Sequence, residues 1–402
     1  MSTEYPFISR DIYFSRVRPY IGTNIIKVFT GQRRVGKSYL QRQIMTEISK
    51  LDANTKVIYI DKEQFAFEFI KNAKDLFDYI ESQKTEKNAL FIDEVQEIEE
   101  FEKVLRSYYN DPAFDIYITG SNANLLSGEL ATLLSGRNIE IAVHPLSYKE
   151  FLLFHKLENT DDIFLKYLQF GGMPNLIHIN LEEDIVQEYL VNIYHSILLQ
   201  DVVKRNNIRN VSFLEKLVEY LADNVGSLVS AKKISDFLKS QKISITPNTV
   251  LDYIKYLEGS YCVNMVRREE IFGKKIFEVS EKYFFEDLGL RNAIVGYKFS
   301  DIGKILENVV YNHLVIAGYK VTIGVNGQYE IDFIAKKAGE IIYVQVCYLL
   351  QDEKTINREF GNLLIINDQY PKYVVSMDAN FGKNTYKGIH HKSVKDFCFE
   401  IA

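Results

Sequence analysis

Cysteine is scarce and scattered in this sequence. Cys262, Cys347 and Cys398 lie far apart without the paired spacing of a metal site, and an odd, sparse set fits a reducing compartment rather than a disulfide framework. Long hydrophobic runs are missing too. The longest nearly apolar stretch, 341–350, is about half the ~20 residues that a membrane helix needs. The opening residues MSTEYPFISR hold no apolar signal core, so a cytoplasmic chain with no membrane partner is expected. Nor is there an excess of positive charge: 48 Lys and Arg against 54 Asp and Glu leave a net charge of -6. That balance removes the global basic footprint of many nucleic-acid binders but leaves room for a local basic face. Internal repeats and low-complexity tracts are absent.

What is present is an ordinary globular composition, 47% hydrophobic and 25% charged over 402 residues. A single core stops growing beyond roughly 250–300 residues, so several compact units are expected. Residues 1–145 alternate short β-type runs (IIKVFT, KVIYID, ALFIDE, DIYITG) with helical stretches, the pattern of a parallel α/β sheet with crossover helices. Residues 146–211 read as helical, with apolar residues every three or four positions. Residues 212–296 give three helices and then strand-like runs around a GKK turn, and strands dominate 297–402. The last block contains a hairpin, EIDFIA–KKAGE–IIYVQVC.

The sharpest motif is GQRRVGKS (31–38), which matches G-x-x-x-x-G-K-[ST]. A strand runs into it and a helix leaves it, the arrangement that a phosphate-binding loop requires. Gly31 and Gly36 let the backbone approach phosphate, while the amides of Gln32, Arg33, Arg34 and Val35 and the helix N-terminus form an anion cradle. Lys37 is expected at the β- and γ-phosphates of ATP, and Ser38 on Mg²⁺. A second motif, NALFIDE (88–94), is an apolar strand that ends in two acids. Asp93 is expected to hold the Mg²⁺ water shell, and Glu94 is a candidate general base for the attacking water. DIYITGSN (115–122) ends another strand; Ser121 and Asn122 either orient that water and sense the γ-phosphate, or cap the turn.

In this order GQRRVGKS, LFIDEVQ, ITGSNANLLS, LLSGR, HPLSYKEF and FGGMPN resemble a prokaryotic AAA-type ATPase family. Its members pair an ATPase module with a C-terminal domain of nuclease-like fold. The resemblance implies a P-loop core over 1–145, a helical lid over 146–211, a winged helix over 212–296 and a restriction-endonuclease-like domain over 297–402. In AAA-type enzymes an arginine commonly completes the γ-phosphate site from a neighbouring subunit, which implies a homo-oligomer. Arg137 is the first candidate and Arg205 the second, each weighed against an ordinary surface or structural arginine. In the winged-helix block TPNTVLDYIKYLEGS would be the recognition helix, with Thr246 as N-cap and Pro247 at the first helical position. Residues 212–286 nevertheless balance 11 Lys and Arg against 11 Asp and Glu, so no phosphate-neutralising surplus marks this block.

The run IIYVQVC (341–347) sets one amide, Gln345, inside an apolar strand, where an unpartnered polar group costs roughly 1–3 kcal/mol. Nucleases of the restriction-endonuclease fold place a helix glutamate, a strand aspartate and then [DE]-x-K on the next strand around Mg²⁺. Here Glu307 and Asp332 match and Glu330 shares their face, but Gln345 stands where the second acid belongs and Cys347 where the lysine belongs. A glutamine brings no charge to a metal that binds mainly through carboxylates, and a cysteine cannot replace an ammonium. The expected result is a degenerate site without cleavage, kept for binding DNA or a partner; the alternatives are a weak or relocated nuclease activity, and a Gln345 that simply bonds a buried backbone group. The sequence therefore reads as an ATP- and Mg²⁺-dependent ATPase acting on DNA. The rival reading is a switch or scaffold that acts on proteins.

Overall fold

The computed structural model describes residues 8–126, 136–243, 245–271, 276–378 and 385–402. The chain packs as two units: Met1–His144 together with Gly259–Tyr261, and Pro145–Glu258 together with Cys262–Ala402.

The first unit is built on five parallel strands: β1 (Ile26–Thr30), β2 (Lys56–Asp61), β3 (Asn88–Asp93), β4 (Phe114–Gly120) and β5 (Asn138–Ala142). Their spatial order is β2-β3-β4-β1-β5, so β4 lies between the strand that feeds the glycine-rich loop and the strand that ends in acids. Every residue of β1 and β3 is buried, as expected where helices cover both faces of a parallel sheet. Alternate residues divide between two apolar layers. Val28, Leu90, Ile92, Ile116 and Ile118 pack on one side, with Leu76, Ile80 and Leu105 of the covering helices. Phe29, Phe91 and Tyr117 pack on the other, against Leu40, Ile44 and Tyr13. One charge breaks the pattern: Lys27, buried in β1, is paired with Asp115 of β4 and lies 4.5 Å from the Tyr117 ring centroid.

The second unit starts with helices Tyr148–His155, Asp161–Phe170, Glu183–Ser196, Val211–Asp223, Ala231–Ser240 and Pro247–Gly259. Ser147 and Glu150 close a capping box on the first of them, and the Thr246 hydroxyl accepts from the Thr249 amide (3.2 Å) at the start of the last. The FGGMPN stretch is a packing device. Asp287 accepts from the Gly172 amide (2.7 Å) and the Leu290 amide (2.9 Å), and a Cβ at Gly172 would lie 2.3 Å from the Leu146 carbonyl oxygen. Burial pushes the Asp287 carboxyl up to about 6.

Strands of this unit form one eight-stranded mixed sheet. In chain order they are β6 (Val263–Glu270), β7 (Ile276–Phe285), β8 (Lys320–Asn326), β9 (Tyr329–Lys337), β10 (Glu340–Val346), β11 (Lys372–Ser376), β12 (Thr385–Tyr386) and β13 (Ile389–Ser393). The spatial order is β12-β13-β11-β10-β9-β8-β6-β7. The β9–β10 hairpin forms as the sequence suggests, turning through Ala338 (φ 48°) and Gly339 (φ 89°), the two positive dihedrals of a tight two-residue turn. The strand pair assigned to a wing behaves differently. β6 pairs antiparallel with β7 but also parallel with β8, so the boundary placed at residue 296 cuts through one sheet. The GKK turn (273–275) lies outside the described residues.

Candidate active site

The glycine-rich loop leaves the C-terminal end of β1 and feeds directly into the helix Lys37–Leu51. Its path depends on glycine. Gly31 has φ 138° and its α-carbon lies so near β5's end that a Cβ would sit 2.1 Å from the Val143 carbonyl oxygen. Gly36 has φ 96° and caps the helix, and Arg34 between them is also left-handed (φ 70°). The helix is held to the sheet by Leu40, Ile44 and Ile48, spaced to line one face, so its N-terminal dipole is aimed at whatever the loop encloses. Arg10, a buried residue that the sequence reading missed, donates from Nη1 to the Val35 carbonyl (2.8 Å) and fixes the loop from outside.

Lys37 folds over the loop. Its Nζ donates to the Gly31 and Gln32 carbonyls, both at 3.0 Å, and stands 3.7 Å from Glu94 Oε1. The structure thus brings together the loop lysine and the second acid of β3, from motifs more than fifty residues apart. Ser38 hydrogen-bonds Asp93, so the two expected metal-holding groups also meet. A hydroxyl and a carboxylate side by side suit a hard cation such as Mg²⁺, which keeps several of its waters. Arg33 reaches to Glu63 (2.8 Å) at the rim.

Three residues around Glu94 set its geometry. Its backbone is left-handed (φ 52°, ψ 54°), uncommon for a residue with a side chain. The Glu94 amide donates to Thr119 Oγ1 (2.9 Å), and that same hydroxyl donates to Asp93. Ser121 Oγ donates to Glu94 Oε2 at 3.0 Å, and the Gln96 amide donates to the same oxygen. Burial opposes ionisation of Glu94, yet Lys37, Gln96, Arg33 and Ser121 together hold its carboxyl below the usual range. Burial pushes Asp93 upward despite its bonds from Ser38 and Thr119. Glu94 is therefore a charged, oriented carboxylate at neutral pH. Thr119 and Gln96 escaped the sequence reading; the only signal was that both lie inside motifs already singled out, ITGSN and DEVQ. Asn122 follows Ser121 half-buried, and its carbonyl accepts from the Leu125 amide (3.0 Å) in a turn.

Arg137 is not at this site within its own unit. Arg137 precedes β5 at the N-terminal end of the sheet, opposite the end that carries the loop. Its carbonyl accepts from the Ile26 amide (2.9 Å) and its guanidinium lies 5.1 Å from the Tyr109 ring centroid. Arg205 belongs to the second unit, where it pairs with Asp201 (3.2 Å) one helical turn earlier.

The nuclease-like residues also converge, with an addition. Glu307 on the helix Ile302–Ile316 and Glu330 and Asp332 on β9 all face Lys282 of β7, whose Nζ is 3.0, 3.1 and 3.6 Å from them respectively. A lysine is thus present, though not on the strand where the nuclease layout puts it. Gln345 Oε1 accepts from the Asp332 amide (3.4 Å), so it does bond a buried backbone group. Cys347 packs in the apolar cluster with Ile331, Tyr343 and Phe360, and burial pushes its thiol well up. Burial raises both Glu307 and Asp332 against the pull of Lys282, helped by Asp332 and Glu330 at the first and by Glu359 and Glu330 at the second.

Sheet order, glycine-rich loop and paired acids define an AAA-type P-loop ATPase. A family model described as an AAA domain matches residues 23–152, and a domain of unknown function (DUF8612) matches residues 161–301. An uncharacterized protein of Haemophilus influenzae is 36% identical over 377 residues, 92% of this chain and 93% of that protein. Another from Methanocaldococcus jannaschii is 32% identical over 367 residues, covering 86% of this chain and 78% of the other. The chain belongs to this family of AAA-domain proteins. The Walker-type ATPase of Pyrococcus abyssi superimposes with a TM-score of 0.52 at 14% identity, over 73% of this chain and 97% of that one, a likeness of fold. Among the described residues no helix is long and apolar enough to cross a membrane.

Proposed function

We propose that the protein hydrolyses ATP in an oligomer and uses the cycle to act on DNA in the cytoplasm. One observation carries the reading: Lys37 and Glu94 converge within 3.7 Å of each other above the loop, with Asp93 and Ser38 joined beside them. On ATP binding, the Lys37 ammonium would exchange the Gly31 and Gln32 carbonyls for phosphate oxygens. Ser38 and Asp93 would hold Mg²⁺, which supplies positive charge at the β- and γ-phosphates. Glu94, kept ionised and aimed by Thr119, Ser121 and Gln96, would orient the attacking water and take its proton. Arg137 lies at the far end of its own sheet, which supports its delivery to a neighbouring copy rather than to its own site.

For DNA the support is a group of exposed lysines. Lys232, Lys233 and Lys242 are exposed on and just after the helix Ala231–Ser240, where Lys239 is paired with Asp236 (3.9 Å), and Lys255 is exposed on the helix Pro247–Gly259. Three helices followed by a strand pair keep the element order of a winged helix even though the strands extend a larger sheet. The C-terminal strands are read as a nuclease-like scaffold that does not cut. ATP turnover measured with and without single-stranded, duplex and branched DNA tests the proposal. Stimulation by one of these is expected; an ATPase indifferent to all three would point to a switch acting on proteins.

A further inference from the structure

The arrangement around Asp332 does not fit a divalent metal, and the misfit has a definite cause. Octahedral Mg²⁺ needs several free oxygens about 2.0–2.1 Å from one point. Here the carboxylates are turned toward an ammonium instead. Lys282 Nζ donates to Glu307 Oε2 (3.0 Å), stands 3.1 Å from Glu330 Oε1 and 3.6 Å from Asp332 Oδ1. Asp332 Oδ2 accepts from the Val346 amide at 2.8 Å, and the carboxamide oxygen of Gln345 is turned to the Asp332 amide. Among the described residues no group of three or more acids, histidines or cysteines has the disposition of a metal site.

We propose that Lys282 is a built-in cation that takes the place of a divalent metal in this carboxylate cluster and closes the site to metal. Several independent features hold it there. Lys282 is opposite Val266, where the β6–β7 register shifts, and such irregularities twist a strand and re-aim its side chains. Asn308, next to Glu307, clamps β7 by accepting from the Phe285 amide (2.9 Å) and donating to the Phe285 carbonyl (2.8 Å). Above the cluster, Gly226 donates to the Tyr283 carbonyl (3.1 Å), and a Cβ there would lie 3.2 Å from Glu307 Oε2. The Lys282 side chain is consequently only 5% exposed. An ammonium offers three donors and no acceptor, so it matches the three carboxylates around it. It also cannot be lost without leaving the buried Asp332 and the half-buried Glu307 and Glu330 uncompensated.

The inference deepens the reading of the C-terminal sheet as a scaffold that does not cut, and every residue in it belongs to the second unit, so it is independent of the ATPase. A lysine that served cleavage would leave the acids to the metal. A lysine that replaces the metal excludes it. Mn²⁺ titration of the nucleotide-free full chain, read by electron paramagnetic resonance, separates the two. The wild type is expected to bind no Mn²⁺ that Asp332→Asn abolishes, and Lys282→Met is expected to gain one bound Mn²⁺ per chain that Asp332→Asn removes. If Lys282→Met fails to fold, adding Glu307→Gln, Glu330→Gln and Asp332→Asn should restore folding, because all three charges that needed compensation are then gone; failure of that variant to fold overturns the proposal. A wild type that binds Mn²⁺ through Asp332, or a folded Lys282→Met that gains none, overturns it as well. DNA cleavage is scored separately. Cutting by the wild type that Lys282→Met abolishes would assign Lys282 to catalysis instead.

Discussion

Thr119→Val isolates the least obvious feature of the ATP site. Valine keeps the shape of the side chain and removes only the hydroxyl, which in the native structure donates to Asp93 and accepts from the Glu94 amide at 2.9 Å. Thr119 is fully buried, so no water restores either bond. Losing a hydrogen bond to a charged group costs about 1.5–3 kcal/mol and orphaning a buried N–H about 1–3 kcal/mol. The two share one atom and do not add fully, so about 2–4 kcal/mol is expected. For a unit of this size that lowers Tm by roughly 5–15 °C. The catalytic effect is more specific. Glu94 holds a left-handed backbone, and the Thr119 bond is what ties its amide down. Without it the carboxylate wanders from its aim, and kcat should fall about 10- to 100-fold while KM for ATP changes little. Thr119→Ser, which keeps the hydroxyl, should recover most of the rate. Differential scanning fluorimetry and a coupled ATPase assay measure both effects. A Thr119→Val protein within about 0.5 kcal/mol of wild type and with unchanged kcat would show that the Thr119 hydroxyl neither stabilises the site nor aims Glu94.

Mixing Arg137→Ala chains with Lys37→Ala chains should restore part of the ATPase activity if the arginine acts between copies; no rescue, with a monomeric mass in the presence of ATP, would remove Arg137 from the site. Asp115→Asn should destabilise the first unit by about 3 kcal/mol in denaturant titrations, because it leaves the buried Lys27 ammonium without its counter-charge. Asp287 gives a pH signature. Its folded value is raised from 3.8 to about 6, so the unfolded chain releases this proton first as pH rises. Wild type should therefore lose up to about 3 kcal/mol relative to Asp287→Asn between pH 4 and 6, with no further change above; a difference that does not vary with pH would contradict the burial argument.

The phosphate-binding loop was legible because its demands are local: glycines where the backbone must turn left-handed, and a lysine and serine at fixed distances. The acids of β3 were legible for the same reason, as they end one short apolar strand. Of the groups that tune them, Ser121 was legible and Thr119 and Gln96 were not. Thr119 reaches Asp93 and Glu94 only because β4 lies beside β3, and that adjacency is a property of strand order. The second unit repeats the lesson at longer range. Three helices and two strands in succession suggested a wing, but nothing local says that β6 also pairs with β8, more than fifty residues on. Lys282 was invisible for the same reason, since its three carboxylate partners lie 25 to 50 residues further along the chain. The anomaly at Gln345 was legible as an anomaly. Its explanation, a bond to the Asp332 amide, required the register of β9 and β10.

In the proposed mechanism Lys37 gathers the phosphates and Glu94 activates water, two separable roles on one loop and one strand. Single-turnover hydrolysis of radiolabelled ATP by Glu94→Gln and Lys37→Ala, with nucleotide binding measured in parallel, tests it directly. Glutamine keeps the size of the side chain and its bond from Ser121 but cannot take a proton, so Glu94→Gln should bind ATP and convert it about 10²- to 10⁴-fold more slowly than wild type. Lys37→Ala should fail to retain ATP at all. Glu94→Gln that hydrolyses ATP at the wild-type rate would contradict the account.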